Sequence, residues 1–155
     1  MKSVVLLLLA AIQLSAAYSY SSYNSYSRPR EVFTYAPNFQ AALQQSQAEG
    51  KPILVIVHLT NCRACKDLFN DLPKSQEIQN LAKRYVVVHS LDGSDKQLEN
   101  LGPRSDRYFP RCFIFGRNGQ LIPIRNSRQP KYPFYYSTAS ELAKSLNDGL
   151  ASGQY

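Results

Sequence analysis

The sequence predicts an α/β fold, with helices packed on a β-sheet, and three patterns carry that expectation. Residues 53–57, ILVIV, and 85–88, YVVV, are continuous aliphatic runs of strand length, the pattern of strands covered on both faces. The stretch between them repeats its apolar residues at helical spacing, so the two strands form a parallel βαβ unit, because parallel neighbours need a crossover. A hairpin signal and one amphipathic helix follow, which gives the order αβαβ and then ββα.

The first helix covers FQAALQQSQAE after Asn38, a side chain that accepts from the amides of a first turn; Phe39, Ala42 and Leu43 share one face, and Gly50 and Pro52 close it. A second helix is expected over 63–72, interrupted by Pro73, which lacks an amide hydrogen and clashes with the preceding turn. Helical spacing resumes over 75–84 with Ile78, Leu81 and Ala82 on one side. Residues 92–107 are polar, with a short helix expected around 96–101. CFIF, the turn GRNG and QLIPI then form the hairpin. Thr138 with Glu141 makes a capping box for a last helix over 139–150, striped by Leu142, Leu146 and Leu150.

The chain begins MKSVVLLLLAAIQLSAA: a lysine, an apolar run and small residues, the signature of a secretory signal peptide over 1–17 cleaved after Ala17. The run falls short of the roughly 20 apolar residues that span a bilayer, so no membrane association is expected after cleavage. Residues 18–27, YSYSSYNSYS, are almost all Tyr and Ser and offer no aliphatic core face, so 18–36 reads as a disordered linker and 37–152 as the single folded domain. The net charge of +7 comes from scattered residues without a dense basic patch alternating with aromatics, which argues against nucleic acid. Asn-x-Ser/Thr is absent.

Two of the three cysteines fall in residues 58–68, HLTNCRACKDL, where a buried strand ends and a helix begins. Cys62 occupies the helix N-terminus, where unpaired amides and the positive dipole end stabilise a thiolate, and Arg63 and Lys66 add positive charge. A thiol with pKa near 8.5 is about 3 % ionised at pH 7, and lowering it by two units makes it roughly 75 % thiolate, the difference between a slow and a competent nucleophile. Cys65, one helical turn deeper, is placed to resolve a mixed disulfide. A permanent structural disulfide and half of a zinc site are the other readings. Zinc needs two further ligands, and His58 and His89 lie on predicted strands without ligand spacing. His58 reads either as a proton or charge neighbour of the thiolate or as a packed strand residue, and Cys112, among Phe and Ile, as a buried free thiol. The tyrosines of KYPFYYS, 131–137, either line a binding surface or anchor the loop before the last helix.

Strand, C-x-x-C and helix, followed by FPR at 109–111 ahead of the hairpin, resemble the thioredoxin-like fold. The segments KPILVIVHLTNCRACKDL, EIQNLAKRYVVV and YFPRCFIF are similar to a small secretory-pathway branch that includes thioredoxin domain-containing protein 12 and the anterior gradient proteins. The resemblance implies a central mixed sheet flanked by helices, with a cis-proline, Pro110, opposite the C-x-x-C. It also implies that Cys62 attacks, Cys65 resolves and Pro110 helps position substrate, while His58 matches a histidine this branch keeps; Arg111, next to Pro110, is expected to help position substrate too. Asn61 stands where tryptophan is common, Ile56 where thioredoxins carry a buried acid, and ASGQY where the branch has a KDEL-type retrieval signal. The implied activity is thiol-disulfide exchange with client proteins bearing thiols or disulfides, without organic cofactor or metal, in the endoplasmic reticulum lumen or, as the missing signal favours, outside the cell. The other class is a non-catalytic binding or signalling module with a structural disulfide. Arg111 is expected either to shape charge beside the pair or to be solvated.

Overall fold

The structure, a computed structural model, describes residues 32–98, 101–102 and 108–155. The expected signal peptide and the Tyr/Ser-rich segment lie outside the described residues. In chain order the elements are β1 (Tyr35–Ala36), α1 (Phe39–Glu49), β2 (Ile53–His58), α2 (Arg63–Asp71), a 3-10 turn (Leu72–Lys74), α3 (Gln76–Ala82), β3 (Val86–Leu91), β4 (Arg111–Phe115), β5 (Leu121–Ile122) and α4 (Ala139–Ala151). The five strands form one mixed sheet in the order β1-β3-β2-β4-β5.

Strand β2 lies at the centre. It runs parallel to β3 and antiparallel to β4, so the βαβ crossover and the hairpin expected from the sequence both close onto it. All six of its residues are buried, as a strand covered on both faces requires. Its side chains alternate. Leu54 and Ile56, with Val87, Cys112 and Ile114, face a core built from Leu68, Phe69, Ile78, Leu142 and Leu146 of α2, α3 and α4. Ile53, Val55 and Val57, with Val88, Phe113 and Phe115, face Phe39 and Ala42 of α1.

Local chemistry sets the ends of the helices. The Asn38 Oδ1 accepts from the Ala41 amide at 2.8 Å, and Gly50 closes α1 in the left-handed region at φ 66°, which favours a residue without Cβ. Pro73 ends α2 in the 3-10 turn, and Ser75 caps α3. The Thr138 hydroxyl accepts from the Glu141 amide at 3.2 Å, while the Glu141 carboxylate reaches one residue past the expected partner, to the Ser137 amide and hydroxyl at 2.8 and 3.0 Å. The Asp71 carboxylate, from the end of α2, accepts the Ala139 amide at 2.8 Å and so ties two helix ends together.

Two expectations are corrected. The ordered part does not begin at Pro37: β1 pairs with Val87 and Val88 of β3, and Phe33 is buried in the core. A two-residue strand carries too little periodicity to be seen in sequence, and its long-range pairing supplies what local pattern lacks. The short helix expected around 96–101 is a turn over residues 96–98, and residues 99–100 lie outside the described ones. Among the described residues no helix is long and apolar enough to cross a membrane.

Candidate active site at the Cys62–Cys65 pair

The centre of the sheet delivers the cysteines. From His58, the chain leaves β2 through an exposed loop and enters α2 with Cys62 as N-cap, in extended conformation at φ −105° and ψ 109°. The Cys65 amide donates to Cys62 Sγ at 3.1 Å. An N–H aimed at this sulfur is the arrangement that stabilises a thiolate when the sulfur carries charge. The two cysteines are joined as a disulfide. Cys65 is 1 % exposed and packs among Leu68, Phe69 and Leu72, whereas Cys62 is partly exposed, so an attacking thiolate from outside meets Cys62 first.

The other wall is the peptide before β4. Phe109–Pro110 is cis, and the Phe109 carbonyl oxygen lies 3.7 Å from Cys62 Sγ. In the disulfide this sulfur has no hydrogen, so the approach is a van der Waals contact; a reduced Cys62 thiol can donate there. Pro110 is buried, and the segment around it is held from behind: the Tyr136 amide donates to the Pro110 carbonyl at 3.4 Å and the Cys112 amide to the Phe134 carbonyl at 2.9 Å. KYPFYYS thus anchors the strand after the cis peptide through buried Phe134 and Tyr136.

Arg111 is not a solvated neighbour of the pair. It is 6 % exposed, its Nη2 donates to the Asp92 carboxylate at 3.1 Å and its Nη1 to the Leu101 carbonyl at 3.0 Å, and its guanidinium stacks 4.8 Å from the Phe109 ring centroid. Its charge is spent on Asp92, so it supports the Phe109 peptide from beneath. Arg63 and Lys66 are both exposed on α2, Arg63 Nε stands 4.0 Å from Asp67, and the Lys66 amide donates to the Cys62 carbonyl at 3.2 Å. Asn61 is exposed beside Cys62.

His58 lies at the end of β2 and is 5 % exposed. Its ring stacks face to face on His89, centroids 3.9 Å apart and planes 4° apart, with the Phe69 ring edge-on to both. The Leu59 carbonyl can only accept, so the 3.3 Å contact with His58 Nδ1 puts the proton on that nitrogen. Burial pushes the His58 pKa below its ordinary value, and the Leu59 carbonyl only partly opposes the shift. The imidazole is therefore neutral near pH 7, a packed strand residue.

Beneath the pair the floor is apolar. Ile56 has no exposed surface and stands in register with His89 on one side and Cys112 on the other. Cys112 is a buried free thiol, and burial drives its pKa far above the ordinary thiol range. Among the described residues there is no group of three or more His, Cys, Asp and Glu arranged to hold a metal ion. Three contributors escaped sequence reading: His89 as the stacking partner, Asp92 as the counter-ion of Arg111, and Tyr108, whose ring packs on Tyr132. Only the FPR motif hinted that residues near 109 reach the pair.

Comparison with known proteins agrees with this geometry. The thioredoxin-like family profile matches residues 34–116, more than half of the chain. Mouse anterior gradient protein 3 is 31 % identical over 83 residues, covering 52 % of this chain and 48 % of that protein. The human anterior gradient protein 2 homolog is 28 % identical over 81 residues, covering 52 % of this chain and 44 % of that protein. The chain thus spans about half the length of the curated relatives it matches. A thioredoxin from Thermus thermophilus shares the fold at 19 % identity, with a TM-score of 0.56 over 79 % of this chain and 93 % of that one.

Proposed function

Since the chain belongs to the thioredoxin-like family, we propose that it is a thiol-disulfide oxidoreductase of the secretory pathway or extracellular space, exchanging disulfides with client proteins through Cys62 and Cys65. One observation carries the proposal: Cys62 Sγ accepts the Cys65 amide at 3.1 Å while lying 3.7 Å from the carbonyl of the cis Phe109–Pro110 peptide. A partly exposed sulfur with an amide donor on one side and a peptide wall on the other is a site built for attack by, or on, an extended sulfur-bearing chain.

In the oxidising direction a client thiolate attacks Cys62 Sγ, the Cys62–Cys65 bond breaks, and Cys65 leaves as a thiolate. A second client thiolate then attacks the client sulfur of the mixed disulfide and releases the Cys62 thiolate, which the Cys65 amide receives. Two electrons pass from client to protein, and a small disulfide such as oxidised glutathione restores the pair. In the reducing direction the steps run backwards and the Cys65 thiolate resolves. Cys65 is buried in the same apolar core as Ile56, whose aliphatic side chain can take no proton, which slows resolution in that direction. The secretory location rests on the leader pattern of residues 1–17 and on the oxidising conditions a working pair of this kind serves.

The Cys65→Ala variant tests the proposal. It accumulates mixed disulfides through Cys62 with client proteins; rapid alkylation of Cys62 without any such adduct removes the exchange reading. The fully buried aliphatic floor at Ile56 favours a second reading, a binding module whose disulfide is structural. Glutathione titration separates the two: a potential between about −120 and −270 mV marks an exchange site, and one below roughly −300 mV a structural bond.

A further inference from the structure

Three large hydrophobic side chains are exposed among the described residues, Leu59, Tyr108 and Leu121, and two of them border the cysteine pair. Leu59 lies in the loop that leads into Cys62, and Tyr108 directly precedes Phe109, whose carbonyl touches Cys62 Sγ. Tyr108 is 44 % exposed, yet its ring is held on Tyr132 with centroids 3.9 Å apart. Tyr132 in turn belongs to a pinned segment. The Asn126 amide donates to the Pro133 carbonyl at 2.7 Å, the Cys112 amide to the Phe134 carbonyl, and Tyr135 bridges to Arg111 of β4. The two rings are thus a fixed aromatic ledge at the start of the segment whose Phe109 carbonyl touches the attacked sulfur.

The ledge carries positive charge. Lys131 Nζ lies 5.3 Å from the Tyr132 ring centroid, and across the pair Arg63 and Lys66 are exposed on α2. Among the described residues Asp92 is paired with Arg111, and Asp67 stands 4.0 Å from Arg63. On the α2 side the residue before Cys62 is Asn61, small and polar, so aromatic contact with a bound chain comes from the tyrosine side.

We infer that the Tyr108–Tyr132 ledge with Lys131 selects the client, taking an extended peptide segment in which an aromatic and an acidic residue flank the cysteine. The inference rests on the exchange reading and names its substrate class. An aromatic side chain stacks on the exposed Tyr108 ring, its edge against the ring face, while the acid meets Lys131. Charge complementarity at this rim discriminates partners and speeds encounter more than it tightens the complex, and the aromatic contact supplies the affinity.

Labelled octapeptides with serine in place of the reacting cysteine test this on the full chain, since they bind without exchanging. A peptide with tyrosine before and aspartate after the serine binds about tenfold more tightly than one with glycine at both places. Tyr108→Ala and Tyr132→Ala each bring that ratio close to one, Tyr132→Phe retains it, and Lys131→Glu inverts the preference for aspartate over lysine. Equal binding of all peptides, no saturable binding by any, or a preference that survives both alanine variants overturns the inference. The same peptides with cysteine restored address the exchange reading separately. Selective binding without exchange overturns that reading and leaves the ledge, whereas exchange without selectivity overturns the ledge alone.

Discussion

His58 illustrates how a single residue changes meaning between sequence and structure. Four places before Cys62 it invites a role in proton transfer, but it is stacked on His89 and boxed by Phe69, and burial keeps it neutral. Its folded pKa lies below the unfolded value of about 6.5, so the unfolded chain binds the proton more readily. The contribution to stability is complete above pH 6.5 and is lost as the pH falls from there through the lowered folded value. Urea unfolding at pH 7.5 and pH 5 is expected to show this loss, and His58→Leu to flatten it. A dependence that persists unchanged in the variant assigns the effect to another group. Ile56 is the complementary case: an aliphatic side chain with no exposed surface, in the same core as Cys65, it can accept no proton.

Between elements, the contacts that shape the site come from polar groups reaching across the fold. Arg111, on β4, holds Asp92 at the end of β3 and the Leu101 carbonyl, and so fixes the chain on which Phe109 and Pro110 stand. Arg111→Ala leaves Asp92 partly buried without its partner and is expected to cost about 2–4 kcal/mol in chemical denaturation, with Arg111→Lys losing less. A change below about 0.5 kcal/mol would mean that the pair is dispensable. The capping and breaking of helices, by contrast, were visible residue by residue: Asn38, Pro73 and Thr138 all act where the sequence places them. Local rules suffice there because cap and amide lie within one turn.

For the whole molecule, the side of the sheet that bears α2 and α4 carries the cysteines, and its packing sets how rigidly they are presented. Leu146 of α4 has no exposed surface and lies in the same core as Cys65, Ile56 and Cys112. Leu146→Ala is expected to destabilise the fold by about 2–5 kcal/mol by equilibrium unfolding, the range for a buried leucine whose cavity only partly collapses. A cost under 1 kcal/mol would show that α4 is loosely docked.

What the sequence by itself determined was the α/β class, the two central strands, the proline-broken crossover, the hairpin and the placement of Cys62 at a helix start. Each rests on short-range physics: periodicity, caps, and turn residues acting within a few positions. The tertiary structure alone decided that residues 35–36 form a strand, that His58 stacks on His89, that Arg111 is buried against Asp92, and that Tyr108 shares a ledge with Tyr132. In all four the partner is distant in sequence, so whether a polar or aromatic side chain is solvated or spent on a neighbour depends on which residues the sheet brings together, a quantity that no local pattern contains.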